Sequence, residues 1–167
     1  MTKPMWALLA GSAFFISVIQ AQAPVPPATL NQLMRGTLYP ESNVVFAAQD
    51  VNPADVPRAK DPNMATDLLT SSFGKWEAVE NSALAIAEVA TLLTVPGRKC
   101  ANGVDVPVQN ADWIRFAGQM RDAGMAAYAA AQAKNQDKII DTTDLLAKAC
   151  QSCHSRYRDR RGGERCK

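Results

Sequence analysis

Apolar side chains recur at every third or fourth position along most of this chain, and that spacing places them on one face of an α-helix. The pattern predicts four helices, over about residues 29–49, 72–95, 110–135 and 136–162. The first helix is expected to bend near Pro40, because proline lacks an N–H group and clashes with the preceding turn. The proline-rich residues 50–71 predict a long loop, in which residues 65–69 can form a turn of helix.

The last three predicted helices each present one inward face. In the second helix this face comprises Trp76, Val79, Ala83, Ile86, Ala90 and Leu93. In the third it comprises Trp113, Phe116, Met120, Ala123, Ala127 and Ala130, after Asn110 as the N-cap. In the fourth it comprises Ile140, Thr143, Ala147, Cys150, His154 and Tyr157. Four such helices with short or moderate connections predict an all-α fold, an antiparallel four-helix bundle.

The first 23 residues have the composition of an export signal. A basic residue precedes the almost unbroken apolar run Met5–Ile19, and small residues follow for cleavage after Ala21 or Ala23. An uncleaved anchor is the alternative, but the run is short for one, because crossing the hydrocarbon takes about 20 apolar residues. We therefore expect a mature domain over residues 24–167, a periplasmic location and no stable membrane insertion after cleavage.

Four cysteines in an exported chain are expected to form disulfides or to hold a cofactor. Cys100 and Cys166 follow the second and fourth predicted helices, which end on the same side of an antiparallel bundle. A Cys100–Cys166 disulfide is therefore expected to tie the C-terminal tail to that end. The alternative is a pair of free or intermolecular thiols.

The other two cysteines belong to Cys150-Gln151-Ser152-Cys153-His154, the C-x-x-C-H pattern of covalent haem attachment. Positions i, i+3 and i+4 share one helix face, so both thiols can bond one porphyrin while the imidazole binds its iron. A thioredoxin-like site is one alternative, but the βαβ setting it needs is not visible in the sequence. Zinc is another, but it takes four ligands and His154 is the only histidine. The motif therefore predicts one covalent haem c.

A C-x-x-C-H motif near the end of the last of four predicted helices resembles the class II cytochromes c, the cytochrome c′ group. Most other c-type cytochromes carry the motif near the N-terminus. Tyr157 and Arg158 also fall where that group has an aromatic residue and an arginine beside the haem. The resemblance covers roughly residues 29–160, is specific at the haem motif and is loose elsewhere. It implies that the C-terminal helix binds the haem, with His154 as the proximal iron ligand.

The resemblance also implies a place for the distal ligand. Low-spin members of that group have a methionine early in the first helix, often followed by a basic residue, and Met34-Arg35 is similar to that pair. The alternative is that Met34 fills the core, as methionine often does. Met120 is the next candidate, ahead of Met64 and Met125. Arg35 is expected either to pair with a haem propionate or to be solvated.

Two functions stay open at this point. With Met34 on the iron, the resemblance implies an electron-transfer protein that serves redox protein partners and transforms no substrate. With an open distal side, it implies a cytochrome c′-type protein that binds nitric oxide or carbon monoxide. A peroxidase has little support, because no distal histidine is available as a general base. The related group is often dimeric, which leaves open whether this protein is a homodimer.

Charge is nearly balanced over the chain, with 18 basic and 16 acidic residues, and this balance does not favour nucleic-acid binding. The tail is more basic, and its cations are Arg156, Arg158, Arg160, Arg161, Arg165 and Lys167. They either steer an acidic redox partner or form a solvated surface. Four aromatic residues are expected to line either the haem pocket or the core: Trp76, Trp113, Phe116 and Tyr157.

Overall fold

The computed structural model of the protein describes residues 25–158 and Cys166. The helical elements are α1 (Leu30–Leu33), a π-helical turn (Met34–Leu38), α2 (Tyr39–Asp50), α3 (Trp76–Leu92), α4 (Ala111–Gln132) and α5 (Gln136–Tyr157), with 3-10 turns at Pro62–Met64 and Leu68–Thr70. The described residues contain an isolated β-bridge but no strand, which confirms the predicted all-α class. The predicted export signal and most of the basic tail lie outside these residues.

Three consecutive elements, α1, the π turn and α2, form one continuous helix, here called the N-terminal helix. Its start is a capping box, in which the Gln32 N–H donates to Thr29 Oγ1 (3.2 Å) and the Thr29 N–H donates to Gln32 Oε1 (2.9 Å). A bend was predicted near Pro40, and at this place the structure has the π turn, directly before the proline. In a regular helix the Pro40 ring would clash with the carbonyl of Gly36, and the wider turn avoids that contact.

The inward faces predicted for α3 and α4 are confirmed, since every residue in both lists is buried. Met120 therefore belongs to the core. The predicted start of α3 was wrong by four residues, because residues 71–75 make a tight turn instead of helix. In that turn the Gly74 N–H donates to Ser71 O (3.0 Å) and the Lys75 N–H donates to Leu69 O (2.9 Å).

The inward face predicted for α5 was confirmed at Thr143 and Tyr157 and wrong by one residue at Ile140 and Ala147. The fully buried positions are Ile139 and Leu146, whereas Ile140 is 47% exposed and Ala147 is exposed. The complete buried face comprises Ile139, Thr142, Thr143, Leu146, Ala149, Cys153 and Tyr157. This helix also ends at Tyr157, before the predicted stop at residues 162–163.

Contacts between the helices link α3 to both α2 and α4, and α5 to both α4 and α2. The π turn contacts α3 as well. The end of α3 meets α4 through Trp113, whose indole N–H donates to Leu93 O (2.9 Å). Trp113 in turn meets the edge of Tyr157 at the end of α5, with ring centroids 5.0 Å apart. In the part of the chain that the structure describes, no helix is both long and apolar enough to cross a membrane.

Candidate haem-attachment site

The C-x-x-C-H motif occupies the last two turns of α5. Cys153 is buried, whereas Cys150 and His154 are half-buried on the adjoining stripe of the helix. Neither Cys150 nor Cys153 takes part in a disulfide. Two free thiols and one imidazole are therefore held at the i, i+3 and i+4 spacing, and two of the three are accessible from the surface.

Burial controls the acidity of both thiols. It raises the pKa of Cys150, and it raises the pKa of Cys153 to about 11, with smaller contributions from the charges of Cys150 and Asp112. Both groups are therefore protonated near neutral pH. A protonated thiol needs no counterion, which suits a side chain that faces the core.

A hydrogen-bond network joins the last turn of α5 to the first turn of α4. The Tyr157 hydroxyl donates to Asp112 Oδ1 (2.5 Å), and Arg156 Nε donates to Asp112 Oδ2 (3.2 Å). The Trp113 N–H also donates to Asp112 Oδ1 (3.0 Å). Asn110 is the N-cap residue of α4, as predicted, and its side-chain amide donates to the Tyr157 hydroxyl (3.3 Å) rather than accepting a bond from the first turn. The network fixes the end of α5 immediately after His154.

The same hydrogen bonds shift two acidities in opposite directions. The bond from Tyr157 lowers the pKa of Asp112, helped by Arg156 and opposed by partial burial. Burial first, and then the Asp112 carboxylate, raises the pKa of Tyr157. At neutral pH the pair is therefore a charged acceptor with a neutral donor.

The predicted distal pair divides between core and surface. Met34 is the first residue of the π turn, is half-buried and packs against the core. Arg35 is exposed. Met64 and Met125, the weaker candidates, are 78% and 41% exposed. Of the four methionines within the described residues, Met34 alone is half-buried.

Arg158 lies directly after α5, where its backbone N–H donates to His154 O (2.9 Å). Its side chain is exposed. The structure therefore places Arg158 beside the motif along the chain, and its predicted role toward a haem stays a prediction.

The disulfide between Cys100 and Cys166 is present, which confirms the expected pairing. The Cys166 N–H donates to Tyr157 O (3.0 Å), so the bridge brings the loop after α3 to the end of α5. The position of the disulfide therefore ties two helix ends together beside the motif.

Two residues of this region were missed by reasoning from the sequence. In the sequence Asp112 is simply an acidic residue near the start of the third predicted helix, and nothing local links it to Tyr157, 45 positions away. Arg98 is buried, and it donates to Ala28 O (2.7 Å) across 70 positions. A basic residue just after a helix is a common C-terminal signal, and it was the one available clue to Arg98.

Within residues 25–158 and at Cys166, no three His, Cys, Asp or Glu side chains group together as metal ligands do. One histidine and one methionine, the iron ligands predicted from the sequence, would not form a group of that kind. The chain matches no protein-family model, no curated protein and no solved structure.

Proposed function

We propose that this protein is an exported mono-haem c-type cytochrome that transfers electrons between redox protein partners. Cys150 and Cys153 attach the haem, His154 is the proximal ligand and Met34 is the distal ligand. An antiparallel four-helix bundle of the class II type is part of the proposal. The contacts of α3 with α2 and α4, and of α5 with α4 and α2, support that arrangement.

One observation carries the proposal: Cys150, Cys153 and His154 lie within one helix as two free thiols and an imidazole at haem-binding spacing. The other two cysteines pair with each other, so the cysteines divide into a structural pair and a free pair. The donor set fits a haem, because two thioether bonds and one nitrogen ligand use all three groups. Bound haem supplies an iron that accepts and releases one electron.

The residues around the motif hold its ligands in place. The Tyr157–Asp112 bond and the Arg156–Asp112 ion pair anchor the end of α5 to α4, which limits movement of His154. Met34 sits on the inward side of the N-terminal helix, with Leu30 and Leu33 packed against the core beside it. Held in this way, His154 and Met34 would keep the same ligands on a bound haem in both of its charge states, which an electron carrier requires.

The proposal is tested by visible spectra of the purified exported protein, oxidised and reduced, with and without carbon monoxide. We expect haem that stays with the chain under denaturing conditions, sharp reduced bands, the weak far-red band of a methionine–iron bond, and no response to carbon monoxide. Broad high-spin bands that shift with carbon monoxide would instead support a gas-binding protein. A chain without covalent haem would contradict both functions.

Matched variants assign the bonds to residues. Replacing Cys150 and Cys153 by alanine is expected to abolish covalent haem, whereas replacing Cys100 and Cys166 by serine is expected to retain it. Met34→Leu is expected to remove the methionine–iron band and to permit carbon monoxide binding. Met120→Leu is the control, because Met120 is a core residue (4% exposed) and this exchange conserves volume.

A further inference from the structure

Arg98 is a buried cation whose partners are backbone carbonyls. It is 5% exposed, and its Nη1 donates to Ala28 O (2.7 Å). Its Nε and Nη2 both donate to Leu92 O (3.4 and 3.3 Å). Among the residues that the structure describes, it forms no ion pair. Burying a guanidinium without a carboxylate is unfavourable, so the interactions that it does make need a reason.

The position of Arg98 at a helix end explains why the buried cation is tolerated. Leu92 is the last residue of α3, where the carbonyls carry the negative end of the helix dipole, so the cation is favoured there. Ala28 immediately precedes the capping residue of α1. Arg98 therefore ties the start of the N-terminal helix to the end of α3.

The next two residues make further connections. The Lys99 carbonyl accepts the Leu30 N–H (2.8 Å), a first-turn donor that has no partner inside its own helix. Cys100 is bonded to Cys166, whose N–H donates to Tyr157 O (3.0 Å). Three consecutive residues, here called the 98–100 segment, thus hold the start of the N-terminal helix and the end of α5.

We propose that Arg98 is a positioning residue for Met34: through the 98–100 segment it sets the start of the Met34 helix relative to the end of the His154 helix. This inference rests on the proposed function. Met34 lies one turn after Leu30, and His154 lies about one turn before Tyr157, so each ligand is close to an anchored point. α1 is the first turn of the N-terminal helix, and besides the packing of its apolar side chains on the core it is held by the bonds to Arg98 and Lys99. These two contacts therefore contribute to the placement of Met34.

The test compares Arg98→Met with Arg121→Met in the haem-loaded exported protein. Arg121 is an exposed arginine on α4 that pairs with its neighbour Asp122, so it is a matched control. In Arg98→Met we expect covalent haem and helix content to be retained, the methionine–iron band to be lost and carbon monoxide binding to appear. Charge-assisted hydrogen bonds of this kind predict a loss of Met34 ligation of about tenfold or more. The control keeps the wild-type spectrum.

A second readout separates positioning from general stability. On heating, we expect the Arg98→Met protein to lose the methionine–iron band well below the temperature at which its helices unfold, whereas the wild-type protein loses both together. Amide exchange at Leu33 and Met34 should accelerate while exchange in α4 stays unchanged. An Arg98→Met protein with the wild-type band, no carbon monoxide response and unchanged exchange would overturn the inference.

If Arg98→Met does not accumulate, the Leu30 N–H offers a gentler change. Leu30 is the first residue of α1, where proline is well tolerated, and Thr29 before it is already extended. Leu30→Pro removes the N–H that donates to Lys99 O. Leu30→Ala is the control, because it also loses most of the leucine side chain but keeps this N–H. Weaker Met34 ligation in the proline variant than in the alanine variant supports the inference, and equal ligation overturns it.

The failure of this inference and the failure of the proposed function give different results. A wild-type protein that already binds carbon monoxide overturns both, whereas an unchanged Arg98→Met spectrum overturns this inference alone.

Discussion

At the residue scale, the Asp112 carboxylate joins three hydrogen-bond donors near the motif. It accepts hydrogen bonds from Tyr157, Arg156 and the backbone of Trp113. All three donors favour the charged form, which is why the pKa of Asp112 lies below its ordinary value of 3.8. The carboxylate therefore stabilises the folded state only while it is ionised.

This linkage predicts acid sensitivity. Because the folded pKa is below the unfolded one, the stabilisation is complete above the unfolded value of 3.8 and is lost as pH falls through the folded pKa. We expect thermal melting of the wild-type protein to fall more steeply below about pH 4 than that of Asp112→Asn. Asp122→Asn, at an exposed carboxylate, is the control. If the melting temperatures of all three proteins fall in parallel with pH, Asp112 does not contribute to the acid sensitivity.

Two glycines in α4 give a second prediction at this scale. A Cβ on Gly124 would lie 3.0 Å from Ala83 O and from Ala87 N of α3, whereas a Cβ on Gly118 meets nothing within 4 Å. We expect Gly118→Ala to stabilise the protein by about 1 kcal/mol through helix propensity. Gly124→Ala should destabilise it by about 1–3 kcal/mol, because the backbone of α3 must move away. Urea unfolding measures both, and a stabilised Gly124→Ala protein would show that the two helices can separate easily.

At the element scale, the π turn is one surplus residue in the N-terminal helix. Leu30, Leu33, Met34 and Leu38 all contribute to the core, and Leu33 and Leu38 are five positions apart, one more than the α-helical separation of four. An unbroken α-helix that keeps Leu38 inward would place Asn31 and Arg35 inward too, yet both are exposed. The π turn therefore keeps the apolar residues on one face and Arg35 on the surface.

Two single-residue deletions test this interpretation. Deleting Thr37 converts the π turn into an α turn and leaves Leu30, Leu33 and Met34 on the face of Leu38, so we expect the fold to be retained. Deleting Asn43 from α2 rotates Leu38 by about 100° relative to Val44 and Val45. Because Leu38 then leaves the core, we expect the free energy of unfolding to fall by about 2–5 kcal/mol, the range for removing a buried leucine. Circular dichroism melting compares them, and equal losses would contradict the surplus-residue interpretation.

At the scale of the whole molecule, long-range bonds join distant segments of the chain near the ends of helices. The disulfide joins residues 66 positions apart, and the bond from Arg98 to Ala28 joins residues 70 positions apart. The Cys166 N–H then binds Tyr157 O. These links hold together segments that come from the beginning, the middle and the end of the described chain.

Removing the disulfide should therefore lower stability more than it changes structure. Closing a loop of 66 residues restricts the unfolded chain by about 4 kcal/mol on chain-entropy grounds. We expect the Cys100→Ser, Cys166→Ser protein to unfold at lower urea concentration than the wild type, with covalent haem intact. A midpoint equal to that of the wild type would show that the tail contributes nothing to global stability.

The sequence by itself determined the features that depend on local spacing. The inward faces of α3 and α4 follow from single apolar stripes, such as Trp76–Val79–Ala83, and all of these residues are buried. Pro40 indicated where the first helix is irregular, because proline does not fit the interior of a regular helix, and the π turn lies directly before it. Counting helices also paired Cys100 with Cys166, because an even number of reversals brings two ends together. The spacing of Cys150, Cys153 and His154 predicts covalent haem attachment, which stays a prediction.

Only the tertiary structure decided which stripe of α5 faces inward. Adjacent apolar pairs, Ile139-Ile140 and Leu145-Leu146, satisfy helical periodicity in two registers, and contact with the neighbouring helices selects Ile139 and Leu146. The hydrogen-bond partners of Asp112 and Arg98 could not be predicted from the sequence either. A hydrogen bond across 45 or 70 positions leaves no periodic trace in the sequence, since it depends on where two distant backbones meet. Local spacing specifies a helix and its apolar face, whereas relative placement of helices comes from packing that no single segment encodes.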